Sequence, residues 1–124
     1  MKVATLIIRT LTGLLLIVSA LTYFLNTAPP PEGLTGDTKV FFDGLYASKY
    51  ILPVAKIFEL LCGLMFISGK FAALGVILIF PIILNILLIN IIHLPSGLPI
   101  AIPLFLAILF LAYTEREKYA SLLE

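Results

Sequence analysis

The sequence predicts an all-α fold: a polytopic membrane protein whose four transmembrane helices form an antiparallel bundle with one longer outer loop. Two observations carry this reading. The chain of 124 residues is 61% hydrophobic and 12% charged, with a mean hydropathy of +1.17, whereas soluble domains run at roughly 45–50% apolar and about 25% charged. Its apolar residues also fall into four runs, each near the ~20 residues that a bilayer crossing needs, separated by segments rich in proline, glycine and polar residues. A formal net charge of +1 supplies no basic field for nucleic acid. Cys62 is the one cysteine, which excludes an internal disulfide or a paired-cysteine redox motif. His93 is the one histidine, and no metal-ligand spacing surrounds it.

The first helix is expected over residues 4–26. That run exceeds the ~7–15-residue core of a cleaved signal peptide, and no small-x-small site precedes Pro29-Pro30-Pro31, so a retained span is expected. Thr5, Arg9, Thr12, Gly13, Leu16, Ser19, Ala20 and Tyr23 recur at spacings of three and four and share one face. Small and polar residues mark the face that packs on other helices in lipid, so this stripe should turn inward. The plainer alternative is a packing face from which Arg9 reaches out to the headgroups.

The outer loop is expected over residues 27–48. Three successive prolines stop the helix and favour an extended path. Asp37 suits the start of a short helix to Ala47, with Val40, Phe41, Leu45 and Tyr46 as its apolar face and Lys39, Asp43 and Lys49 toward water. Such a helix lies flat on the membrane or closes over the bundle as a lid, and the flat placement is the expectation.

The second long helix is expected over residues 50–68, with Pro53 in its first turn. Leu52, Lys56, Glu59, Gly63 and Ile67 share a face. A charge at membrane depth costs roughly 2.5–3.5 kcal/mol, so Lys56 and Glu59 should face protein or a wet cavity. Gly63, one turn from Glu59, leaves room for a side chain of another helix. The very short Ser68-Gly69-Lys70 connection makes an antiparallel hairpin with the third helix, residues 71–92. Pro81 frees a carbonyl one turn earlier, Asn85 follows on nearly the same face, and Asn90 lies further around. Neither asparagine should meet lipid unpartnered. After a turn at Leu94–Gly97 comes the fourth helix, residues 98–113, short for a span and carrying Pro99 and Pro103, then a charged amphipathic tail over 115–119.

Loop charges set the expected orientation. Lys2, Arg9, Lys70, Arg116 and Lys118 fall on one side and Lys39 and Lys49 on the other, which puts both termini in the cytoplasm and the proline-rich loop outside. At 1.5 Å of rise per residue, Glu59 lies roughly 13–14 Å below the outer end and Arg9 about 7–8 Å above the inner end. The remaining axial gap of some 8–9 Å is within reach of the two side chains. An interior network of Arg9, Lys56, Glu59 and Asn85, with Tyr23 above it, is therefore expected, either as a ligand site or as an ion pair that fixes helix register. Two cations beside one carboxylate leave surplus positive charge. Its complement is a carboxylate, a quinone or lipid carbonyl, or water at the mouth. Cys62 reads as a small buried hydrophobe and His93 as an interfacial residue.

Lys56-Ile-Phe-Glu59-Leu-Leu-Cys-Gly63 resembles the second-helix signature of the DoxX-like family, Lys-x-x-Glu-x-x-x-Gly, and Pro81-Ile-Ile-Leu-Asn85 resembles its third-helix Pro-x-x-x-Asn. Arg9 with Gly13 is similar to the family's opening, and the likeness runs from about Ala4 to Tyr119. One position departs: where similar sequences carry a histidine soon after the third-helix asparagine, this chain has Asn90, and His93 comes later. The resemblance implies one four-helix membrane domain over residues 1–124, of bacterial type and in the cytoplasmic (inner) membrane. The family takes its name from a subunit of an archaeal thiosulfate:quinone oxidoreductase. The function so implied is an accessory subunit of a quinone-linked membrane redox complex. The alternatives are an assembly factor or chaperone-like interaction protein, and a carrier of a small molecule or lipid. The residues themselves assign no catalytic reaction. No intrinsic cofactor is expected, and quinone or lipid is the expected ligand class. The expected partners are membrane lipid and either further copies of the chain or another membrane protein. An open polar cavity reaching Glu59 would favour a subunit or carrier; a filled bundle would favour the interaction protein.

Overall fold

Helix follows helix through a computed structural model that describes residues 2–25 and 33–120. The extended stretch expected at Pro29-Pro30-Pro31 lies outside the described residues, as does the last turn expected for the first helix at Asn26. The elements are α1 (Lys2–Phe24), α2 (Gly36–Ala47), α3 (Ile51–Ser68), α4 (Ala72–Ile92), α5 (Leu98–Thr114) and α6 (Arg116–Ala120), with a 3₁₀ turn at Pro95–Gly97 before α5 and no strand among the described residues. The four expected spans are α1, α3, α4 and α5. Observed ends fall within about two residues of the expected ones, the usual uncertainty of helix termini. α5 alone is short, but the preceding turn extends the apolar rod to 20 residues, Pro95–Thr114, so all four are long and apolar enough to cross a membrane. The molecule is a multi-pass membrane protein.

Around the bundle the packed neighbours run α1, α3, α4, α5 and back to α1. Buried Leu16, Cys62, Phe66, Ile79, Ile83, Ile108 and Leu111 form its core, while Leu, Ile and Val on the outer faces remain exposed, as a lipid-facing surface requires. Of the small-residue stripe on α1, Thr12, Gly13, Leu16 and Ala20 are buried, which places that stripe inward.

The tightest crossing joins α1 to α3. A Cβ on Gly13 would lie 2.8 Å from the Gly63 carbonyl oxygen, and one on Gly63 would lie 2.7 Å from Ile17 Cγ1. Two glycines thus let the backbones touch. At the end of α3, Gly69 takes a left-handed conformation (φ 78°) and its N–H closes on Met65 O at 3.0 Å, a glycine cap that turns the chain directly into α4.

At the end of the bundle that carries both termini, α6 folds back under α4. The Tyr119 hydroxyl donates to Ala73 O at 2.8 Å. Burial pushes its phenol up to about 12, with the nearby Glu115 carboxylate adding to the shift.

Candidate functional site

Lys56 and Glu59 lie three residues apart on α3, so one helical face presents both. Their ion pair closes at 3.1 Å. Ser19 of α1 completes a triangle: Lys56 Nζ donates to Ser19 Oγ at 2.9 Å, and that hydroxyl donates to Glu59 Oε1 at 3.2 Å. Glu59 is 3% exposed. Each carboxylate oxygen therefore has a donor, which is what makes a buried charge tolerable. The Lys56 ammonium carries three donors; two are used, and the third has no protein partner among the described residues.

Beside this triangle lies a cavity of about 410 Å³ between α2, α3 and α4, within the roughly 300–1,000 Å³ of small-molecule sites. Leu52, Ile82, Ile86 and Ile89 make its sides apolar; Lys56, Glu59 and Asn85 bring the polar groups; Phe41 and Leu45 of α2 cover it. Asn85 Nδ2 donates to Pro81 O at 2.8 Å, an i−4 bond that leaves its carbonyl oxygen as an acceptor on the cavity wall. The cavity thus pairs one spare ammonium donor with one spare amide acceptor on otherwise apolar walls.

α2 sits over this mouth, in the lid placement rather than flat and apart. Of the expected apolar face, Val40 and Tyr46 are exposed, and only Phe41 and Leu45 dock. Phe41 and Leu45 turn inward, and Thr38 joins them one turn earlier. His93, at the end of α4, holds the lid: its ring stacks on Phe41 with centroids 5.0 Å apart, and Thr38 Oγ1 lies 3.1 Å from its Nδ1. His93 is therefore a clasp between α4 and α2 rather than a free interfacial side chain. The only sequence signal for this was its position at the helix end opposite the loop.

The expected network differs in two places. Arg9 is not part of it: its guanidinium lies at the opposite end of α3, with Nη2 3.0 Å from where a Cβ on Gly69 would stand. The reason is the antiparallel crossing at Gly13 and Gly63. One turn from that crossing, Arg9 heads toward the termini while Glu59 heads toward the loop, so eight residues of rise, about 12 Å, separate them. Ser19 takes the place expected for Arg9. Tyr23 packs edge-on against Phe24 with centroids 5.3 Å apart and does not line the cavity. Asn90 turns away from the site as well, donating to Ile86 O at 2.7 Å and filling the space that a side chain at Gly97 would need.

A family model described as DoxX matches residues 4–94. The chain belongs to the DoxX family. The matched stretch takes in α1 to α4, and so every residue of the Ser19–Lys56–Glu59 triangle and of the DoxX protein's cavity. α5 follows the matched stretch and closes the bundle by packing on both α1 and α4. No curated protein and no solved structure matches the chain.

Proposed function

We propose that this DoxX protein is a ligand-binding membrane subunit that serves a quinone-linked redox complex. The observation that carries the reading is the covered cavity whose floor holds Lys56 with a spare N–H. A quinone is apolar in its ring and tail and offers carbonyl oxygens, so the tail suits the isoleucine walls and a carbonyl suits Lys56. The Asn85 carbonyl is placed to accept from the hydroxyl of the reduced form. Glu59 acts as a positioning residue: with Ser19 it fixes the ammonium at the cavity edge. The protein supplies no electron carrier of its own in this scheme; it holds and presents the molecule that carries them. The cavity beneath α2, beside the packed core of the bundle, is what favours this reading over an assembly factor.

A second reading follows from the lid. A helix that covers an apolar cavity suits a carrier of lipid or another small amphiphile, with α2 as the gate. In either case the setting proposed is a bacterial inner membrane with both termini cytoplasmic, and a second copy or a membrane-protein partner covers part of the apolar outer face.

The test is a thermal-unfolding titration of the purified protein with a short-chain quinone, alongside native mass spectrometry of protein extracted gently from its own membrane. A ligand specific to the folded state raises stability in proportion to the logarithm of its concentration above Kd. The expected result is stabilisation by quinone that Lys56→Met abolishes. Copurified lipid in the absence of any quinone effect transfers the site to the carrier reading. A bare protein with no quinone response overturns both.

A further inference from the structure

The end of the bundle that carries the termini holds a second cavity, of about 420 Å³, between the first turns of α1 and the end of α5. Lys2, Arg9 and Arg116 bring three cations to its lining, and Glu115 brings the one carboxylate. That carboxylate is already bonded to Lys118 at 2.9 Å. Arg116 is held in place, with Nη1 donating to Tyr113 O at 2.8 Å and its guanidinium 4.2 Å over the Tyr113 ring. Arg9 is the unbalanced group. Its Nε is shut off from solvent and has no hydrogen-bond partner among the described residues.

A guanidinium offers five N–H donors and no acceptor. Arg9 is half-buried, and its enclosed Nε without an acceptor is unfavourable; the buried carboxylate of this bundle, Glu59, is committed to Lys56 and Ser19 at the other end of α3. The glycine at position 69 lets the guanidinium lie against the chain reversal, and the same side chain lines the cavity. The planar guanidinium fork matches two oxygens of a tetrahedral anion. The level is also informative, because Thr114 ends the apolar rod and the cavity opens there, at headgroup depth.

We propose that this cavity is a phosphate site. Arg9 is its principal ligand, Lys2 and Arg116 flank it, and the phosphate belongs to an anionic lipid headgroup or to free phosphate. The site is separate from the loop-end cavity and stands whether or not that one binds a quinone.

The experiment uses the full chain in neutral detergent. Retention of spin-labelled phosphatidylglycerol is compared with that of spin-labelled phosphatidylcholine, and the thermal midpoint is measured in sodium phosphate against sodium chloride at equal ionic strength. Wild type, Arg9→Gln, Arg9→Lys and Arg116→Gln are run together. The expected result is a preference for phosphatidylglycerol of about tenfold, the worth of one good charge-assisted pair. Arg9→Gln should bring it near parity and Arg9→Lys should restore part of it. Arg116→Gln, a change at the exposed rim, should weaken the preference without touching the α1–α3 contact, and so serves if Arg9→Gln does not fold. A lipid preference assigns the phosphate to a headgroup; stabilisation by phosphate without a lipid preference assigns it to the free anion. Neither effect in the wild type, or effects that persist in both Gln variants, overturns the proposal.

Discussion

Gly13 and Gly63 meet backbone to backbone, each placed so that a Cβ would stand 2.8 Å from the other's carbonyl oxygen. This single crossing sets the register of α1 on α3, and with it which side chain of α1 reaches Glu59. Ser19 lies six residues beyond Gly13 and Glu59 four before Gly63, on the same side of the crossing. Arg9 lies on the other side.

Replacing Gly63 by alanine is therefore expected to destabilise the bundle and to break the Ser19–Glu59 bond. Alanine improves intrinsic helix propensity by about 1 kcal/mol. Overpacking costs about 1–3 kcal/mol, and here the opposing atoms include backbone, which cannot step aside. Overpacking should win. Unfolding in mixed micelles checks this, with Leu64→Ala on the exposed face as the control expected to change little.

The ion pair makes an asymmetric prediction. Breaking a buried pair costs about 3–5 kcal/mol because the remaining charge is stranded. Lys56→Met strands Glu59, whose side chain is 4% exposed, whereas Glu59→Gln strands Lys56, whose side chain is 19% exposed. Lys56→Met should thus be the more damaging of the two. The double variant should be more stable than Lys56→Met alone, since both charges are then gone. A double-mutant cycle measures the coupling; additive effects would show that the two charges act independently.

The lid is held by few contacts, none of them fully buried. His93→Ala removes the stack on Phe41 and the bond with Thr38, each worth about 0.5–1.5 kcal/mol. Hydrogen exchange of the α2 amides should quicken about tenfold or more, while exchange in α1 and α3 stays as it was. Equal change in all helices would mean that α2 is not an independent element.

Tyr119 predicts a pH dependence. Its pKa in the folded protein, about 12, lies above the ordinary value near 10. The folded state thus favours the neutral phenol, which donates to Ala73 O. Its contribution is fully present below pH ~10 and is lost as pH rises toward ~12. Tyr119→Phe should remove this dependence and free α6 from α4. Phenolate ultraviolet absorbance of the protein against the variant reads the titration directly, and a midpoint near 10 would show that the hydroxyl is not buried against α4.

Lys56 and Glu59 were readable together because three residues of one helix place them on one face whatever else the chain does. The inward stripe of α1 was readable because small residues in lipid mark contact. Arg9 departs from its expected place because depth counted from the membrane surface treats α1 and α3 as if they shared only a bilayer. His93 and Thr38 are 55 residues apart, and no local pattern joins them. Hydrophobicity alone groups Val40 and Tyr46 with Phe41 and Leu45 on the apolar face of α2, whereas only Phe41 and Leu45 line the cavity.

The sequence by itself determined four apolar spans, their connections and the charge pair within α3, because hydrophobic run length, turn residues and helical spacing are local properties. Only the tertiary structure decided that Ser19 completes the charge pair, that α2 covers a cavity and that Arg9 belongs to the opposite end. Each of these depends on the axial register between helices. That register was set where two glycines let backbones touch, a contact between residues 50 positions apart along the chain.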